Sequence, residues 1–294
     1  MGYSARYHAA SLAAVFLALA IGILIGVGLG EGVVSGTEES LRDSLEGDID
    51  EARAEADDLQ VELERERDFA SRAYPALVGE ALRGRPIGVI AFGGLSGDLE
   101  ADIQGALEPT GADLVEVSVV QFPPDAAELA SAAGRPFAGA AESDARLTEL
   151  GERLGRQIVR GRGRELERTR GALFSRSSGE GGPLRGVVLT RASIEDLTPR
   201  EEGATEAFTE GLVRGLEAGE GAAVAVEGTE APESFVPLFS GFEVSTVDDI
   251  DLTAGKVAMV FALLGAEGNF GIKGSADSLL PELLVPAGRR SGGD

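Results

Sequence analysis

The residues whose types and spacing come nearest to a chemical motif are Phe92-Gly93-Gly94-Leu95-Ser96-Gly97-Asp98, where a strand-like run gives way to a helix-like one. Backbone amides of a glycine-rich turn at a helix start can cradle a phosphate or another anion, so Gly93, Gly94, Ser96 and Gly97 form a candidate anion turn. Three features argue against a dinucleotide site. The glycine spacing differs from that fingerprint, the next strand-like run ends Val119-Val120-Gln121 without an acid for a ribose, and Asp98 and Glu100 repel anions. A tight strand-to-helix turn capped by Ser96 or Asp98 accounts for the same residues.

Much other chemistry is excluded by what the chain lacks. Cysteine is absent, which removes thiol nucleophiles, disulfides and thiolate metal ligands. The single histidine, His8, lies next to the N-terminus, so no Ser-His or Cys-His couple can form in the later part of the chain. With 50 acidic against 26 basic side chains and a net charge of -24, nucleic acid is excluded as a partner, because such binding neutralises phosphates with cations. The acids are too numerous for any one pair to stand out as catalytic; most must be surface charge. No catalytic, cofactor-binding or metal-ligating residue is assigned, and the chain is read as a non-enzyme without a cofactor.

The elements that must position these residues begin with an uncharged run of 22 residues, Ala9 to Gly30, rich in Leu, Ile, Val and Ala. At 1.5 Å per residue it matches a hydrocarbon core of about 30 Å, and it is read as a transmembrane helix. A cleaved signal peptide is the rival, but its apolar region is shorter and no small-x-small cleavage site precedes the next segment. Arg6 before the run and Glu31, Glu38 and Glu39 after it place residues 1–8 in the cytoplasm and the remainder outside the cell membrane. Gly22, Gly26 and Gly30 recur every four residues, on one helical face where two helices could approach closely in lipid.

Beyond it, Leu45, Ile49, Ala52, Ala56, Leu59, Leu63, Ala70 and Ala73 alternate in steps of four and three, interrupted by Glu66. That is a heptad seam, and residues 37–74 are read as a coiled-coil stalk whose contact residues are Leu45, Ile49, Leu59 and Leu63. Its partner is a second copy, another protein's coiled coil or the chain's own globular domain; periodicity alone does not rank them. Tyr74 and Pro75 are read as the helix break.

Residues 85–285 alternate short apolar runs with helical patterns. Strands are expected at Pro86–Phe92, Asp113–Val120, Gly186–Thr190, Ala222–Val226 and Phe242–Thr246, with helices at Leu99–Leu107, Asp144–Val159, Thr205–Leu216 and Thr253–Leu264. Segments 123–141, 175–183 and 228–237 are read as loops, and 286–294 as a flexible tail. The expectation is an α/β domain with a Rossmann-like, doubly wound, mostly parallel sheet whose carboxyl edge is the place for any ligand. Arg153, Arg156, Arg160, Arg162, Arg164, Arg168, Arg170 and Arg176 make the one basic stretch. They could meet an anionic envelope polymer or the acidic stalk, but Leu147, Leu150, Leu154 and Ile158 supply a buried stripe that leaves the arginines on a solvated face.

Three segments carry a resemblance: His8 to Gly22, Ser245-Thr-Val-Asp-Asp-Ile-Asp-Leu-Thr-Ala-Gly-Lys-Val-Ala-Met259, and Ala276-Asp-Ser-Leu-Leu-Pro281. With the layout they resemble the actinobacterial copper transport protein B family over nearly the whole chain. The resemblance implies copper homeostasis or efflux, framed as a pore in the outer envelope. Through a related corynebacterial member it implies instead a coiled-coil scaffold for cell separation that regulates a peptidoglycan hydrolase. A third reading is a ligand-binding α/β domain or enzyme. Copper is implied by the resemblance alone. Cu(I) favours Cys and Met and Cu(II) favours imidazole, and the outer domain offers only Met259. One apolar helix encloses no channel, and no series of amphipathic ten-residue strands suggests a barrel.

Overall fold

The computed structural model describes residues 5–193 and 197–282, and the side chains of the first helix from Ser11 to Val27 and from Ser44 onward. The tail read over 286–294 lies outside the described residues. The chain divides into a first unit ending at Arg67 and a second beginning at Asp68.

Helix α1 runs unbroken from Ala5 to Val78. Within the first unit its large apolar side chains are exposed, including Leu12, Phe16, Leu24, Leu45 and Leu59. Among the described residues no helix is long and apolar enough to cross a membrane. The ends of the run read as a span, residues 9, 10 and 28–30, lie outside the described side chains. The break expected at Tyr74 and Pro75 does not occur: Pro75 sits inside the helix, which ends at Val78. Proline removes one helical hydrogen bond, but tertiary contacts override that loss here. Tyr74 and Val78 are buried, and the Tyr74 hydroxyl donates to the carbonyl of Ala106 at 2.6 Å.

The second unit is built on a seven-stranded sheet. Its strands are β1 (Pro86–Phe92), β2 (Asp113–Val120), β3 (Phe174–Gly179), β4 (Gly186–Arg191), β5 (Ala222–Val226), β6 (Ser245–Val247) and β7 (Asn269–Phe270), in the order β3-β2-β1-β4-β5-β6-β7. Every pairing is parallel except that of β3 with β2. The expected α/β class and mostly parallel sheet are therefore present, with the order reversing between β1 and β4 as in doubly wound folds. The segment from Ser175, expected as a loop because Ser175 to Ser178 are polar, is instead most of β3, an edge strand exposed over five of its six residues. The strand expected at Phe242–Thr246 lies at Ser245–Val247, because Phe242 belongs to the turn after a short helix.

Alternating residues of β1 explain why helices cover both faces. Ile90 and Phe92 join one buried cluster with α3 (Ala126–Ala133), α4 (Asp144–Val159), α5 (Arg164–Leu173), α6 (Pro199–Glu217) and α7 (Val236–Ser240). Ile87 and Val89 join a second cluster with the end of α1, α2 (Gly97–Leu107) and α8 (Thr253–Leu263). Helix α6 starts six residues earlier than its apolar pattern suggests, since Thr198 and Glu201 form a capping box around Pro199. α3 lies inside the segment read as a loop, capped by Asp125. Helices α4 and α6 cross at glycines: a Cβ on Gly151 would lie 2.7 Å from the carbonyl oxygen of Phe208, and Gly155, Gly211 and Gly215 are equally crowded by facing backbone.

Candidate functional site

The reversal between β1 and β4 opens a crevice at the carboxyl edge, where such sheets bind ligands. A cleft of about 750 Å³ lies there, walled by the turn after β1 and by the segments after β4, β5 and β6. Gly94 and Ser96 of the candidate anion turn reach its wall; Gly93 and Gly97 do not. Two backbone amides in and next to the turn serve structure. Gly93, at φ 83°, donates to the carbonyl of Val120 at 3.0 Å, and the Leu99 amide donates to the Ser96 hydroxyl at 3.3 Å as the α2 cap.

Carboxylates dominate the rest of the wall: Asp98, Asp102, Glu227, Glu230, Glu233 and Asp251 face the cleft with Arg191. Arg191 stacks over the Phe122 ring at 5.6 Å, and burial lowers its pKa while Glu233 opposes the shift. A cleft with this balance of charge disfavours phosphate.

Behind the wall lies a buried polar knot that sequence reasoning missed. Glu227, 1% exposed, accepts from the Lys273 ammonium at 2.7 Å and from the Phe235 amide at 2.9 Å. The same ammonium donates to the Gly228 carbonyl at 2.9 Å. Asp248, fully buried, accepts from the amides of Ile272 at 2.8 Å and Lys273 at 3.2 Å. Outside the buried part, exposed Asp251 accepts from the amide and hydroxyl of Thr229 at 2.7 and 2.6 Å. Asp249 differs: both its carboxylate oxygens are buried without a partner. Burial, with the like charges of Asp248 and Asp251, pushes its pKa up to about 6.

Lys256 of α8 completes the arrangement by donating to Asp102 at 2.9 Å. Lys256 and Lys273 are the only lysines of the chain, and both are held in ion pairs. That scarcity, together with Asp248-Asp249 inside an apolar stretch, was the available signal. The knot stitches β5, β6 and the segment after β7 together, and its acids other than Asp249 are committed to amides, a hydroxyl and an ammonium group. Among the described residues no group of three His, Cys, Asp or Glu side chains could hold a metal ion.

The other residues singled out from the sequence lie on α1. Leu45, Ile49, Leu59 and Leu63 are 49–59% exposed. A Cβ on Gly22 or Gly26 would meet nothing within 4 Å; Gly30 lies outside the described side chains. The arginines of the basic stretch divide. Arg156, Arg170 and Arg176 reach Glu152, Glu116 and Glu100, while Arg153, Arg160, Arg162, Arg164 and Arg168 are exposed with no ion pair among the described residues.

A family model described as "Copper transport outer membrane protein, MctB" matches residues 3–281. The chain belongs to the MctB family. No curated protein matches it. MctB membership implies a role in copper transport or homeostasis. Copper is thus the cargo against which this chain's donors are judged, and soft donors are scarce. The chain has no cysteine, two methionines and one histidine. Met259 is wholly buried in α8 among apolar side chains, and Met1 and the His8 side chain lie outside the described residues. Carboxylates and amides are hard ligands that suit Mg²⁺ and Ca²⁺ better than copper.

Proposed function

We propose that this MctB-family chain is a membrane-anchored envelope protein that serves copper homeostasis by engaging other polypeptides through α1, without catalysis and without forming a pore on its own. One observation carries the reading: among the described residues, the large apolar side chains of α1 up to Leu63 are exposed. Between Leu12 and Val27, ten large apolar residues are more than half exposed, and no charge interrupts that stretch. An apolar surface of this extent is stable against lipid or a partner and unstable in water. Arg6 before the run and the acids after it support an N-terminus in the cytoplasm and an α/β domain outside it. An open, mostly parallel sheet is unlike the closed antiparallel barrel of an outer-membrane pore, and the scarcity of soft donors favours indirect handling of copper.

The test is the double variant Leu59→Asp, Leu63→Asp in a strain lacking the gene and challenged with copper. Two charges in adjacent layers of an apolar seam abolish pairing. The variant is expected to reach the membrane at normal level, keep the unfolding transition of the α/β domain, and fail to restore copper tolerance. Full restoration would reduce the stalk to a spacer and overturn the reading.

A further inference from the structure

The seam of α1 between Leu45 and Arg67 carries more information than an apolar stripe, because the residues flanking it have signs. Ile49, Ala56 and Leu63 occupy the a positions of the heptad, and Leu45, Ala52, Leu59 and Glu66 the d positions. The g positions are then Asp48, Glu55 and Glu62, and the e positions Glu46, Arg53, Gln60 and Arg67. The g flank is acidic throughout, and the e flank is basic or neutral from Arg53 onward, with Glu46 as its one acid.

In a parallel two-stranded coiled coil each g side chain meets the e side chain five residues further along the other strand, and these pairs decide partner and orientation. Applied to two copies in register, the rule pairs Asp48 with Arg53 of the second copy, Glu55 with Gln60, and Glu62 with Arg67. Two are opposite charges and the third is a hydrogen-bonding pair. Symmetry forms each pair twice. In an antiparallel arrangement g meets g and e meets e, which sets the acids Asp48, Glu55 and Glu62 against one another. Ile49 at a next to Leu45 at d is the combination that favours two strands, while the alanine layers at 52 and 56 and Glu66 facing its copy at d keep the pairing weak.

Contacts within the chain leave most of these groups available; the Gln60 amide lies 3.4 Å from Glu64 on the exposed face. Leu45, Ile49, Leu59 and Leu63 are about half exposed, and Glu62 and Arg67 make no ion pair within the chain among the described residues. Arg53 is 3.3 Å from Asp50, but that pair is exposed on both sides and holds its members weakly.

We infer that the occupant of the seam is a second copy of this chain, parallel and in register. This rests on the reading of α1 as a contact surface and names the partner. Cysteine scanning tests it directly, because the natural chain has none. Full-length chain in its membrane carries Ala52→Cys at a d position or Ala54→Cys on the outward face, and is oxidised with diamide. Ala52→Cys is expected to give a disulfide-linked dimer in severalfold higher yield than Ala54→Cys. Adding Arg53→Glu should remove most of that product, and adding Asp48→Arg to the same chain should restore it, although the new carboxylate would still be repelled by Asp50 within the helix. Equal yields at 52 and 54, or no recovery on charge exchange, overturn the inference. Absence of the dimer while Leu59→Asp, Leu63→Asp still abolishes copper tolerance would assign the seam to a different protein and leave the functional reading standing. A dimer with full tolerance in that double variant would do the reverse.

Discussion

The ammonium of Lys273 stands 2.7 Å from Oε1 of Glu227, a carboxylate only 1% exposed, and ties the segment after β7 to the end of β5. Removing one partner of such a pair leaves a buried charge without compensation. Lys273→Met is therefore expected to cost about 3–5 kcal/mol of stability. Adding Glu227→Gln should recover part of the loss, because the remaining group is neutral and can still accept from the Phe235 amide. Urea unfolding of both variants reads the effect; an unchanged midpoint for Lys273→Met would show the pair to be dispensable.

The crossing of α4 and α6 admits no side chain at its glycines. Gly151→Leu has to displace the backbone at Phe208, where even a Cβ would lie 2.7 Å from the carbonyl oxygen. A loss of at least about 1–3 kcal/mol is expected, typical of overpacking. Gly105→Leu on α2, where a Cβ would meet nothing within 4 Å, is the control and should change little. Equal thermal shifts for the two would refute the close crossing.

Asp249 gives the domain a pH dependence with a defined sign. Its carboxyl in the folded chain titrates at about 6, above the usual 3.8, because it is buried without a partner beside Asp248 and Asp251. The native state therefore holds this proton longer than the unfolded state, and stability falls as pH rises from about 4 to about 6. Above that range the penalty is fully present, on the order of 3 kcal/mol. Asp249→Asn should be more stable than the parent at about pH 7, with the difference closing toward about pH 4. Parallel stability curves for the two proteins across that range would remove Asp249 as the cause.

For copper the expectation is negative and measurable. Cu(I) titration of the purified chain against a competing chelator should show no stoichiometric site tighter than the chelator, because Met259 is buried and cysteine is absent. A site that survives the competition would require direct cargo binding.

The sheet's core was legible where apolar runs are continuous. β1, β2, β5 and α4 lie where the sequence places them, since both faces of the strands are buried and α4 presents Leu147, Leu150, Leu154 and Ile158 on one side. Elements without an apolar signature were missed: β3 is serine-rich and exposed, α3 is alanine-rich, and α5 is dominated by Arg and Glu. Pro75 was overvalued as a breaker because burial of Tyr74 cannot be seen from its neighbours in sequence. The crevice was anticipated at the carboxyl edge. Its polar knot was not, because Glu227, Asp248 and Lys273 are brought together by the order of strands and by no local spacing.

The confinement of Lys256 and Lys273 in ion pairs has a practical consequence. Acylating reagents and lysine-directed cross-linkers need a free amine, and among the described residues only these two partly buried groups offer one. Amine-based proximity labelling would therefore report few neighbours of this protein, whatever it touches. With 50 acidic side chains available, carbodiimide coupling through carboxylates is the chemistry that can see its surroundings.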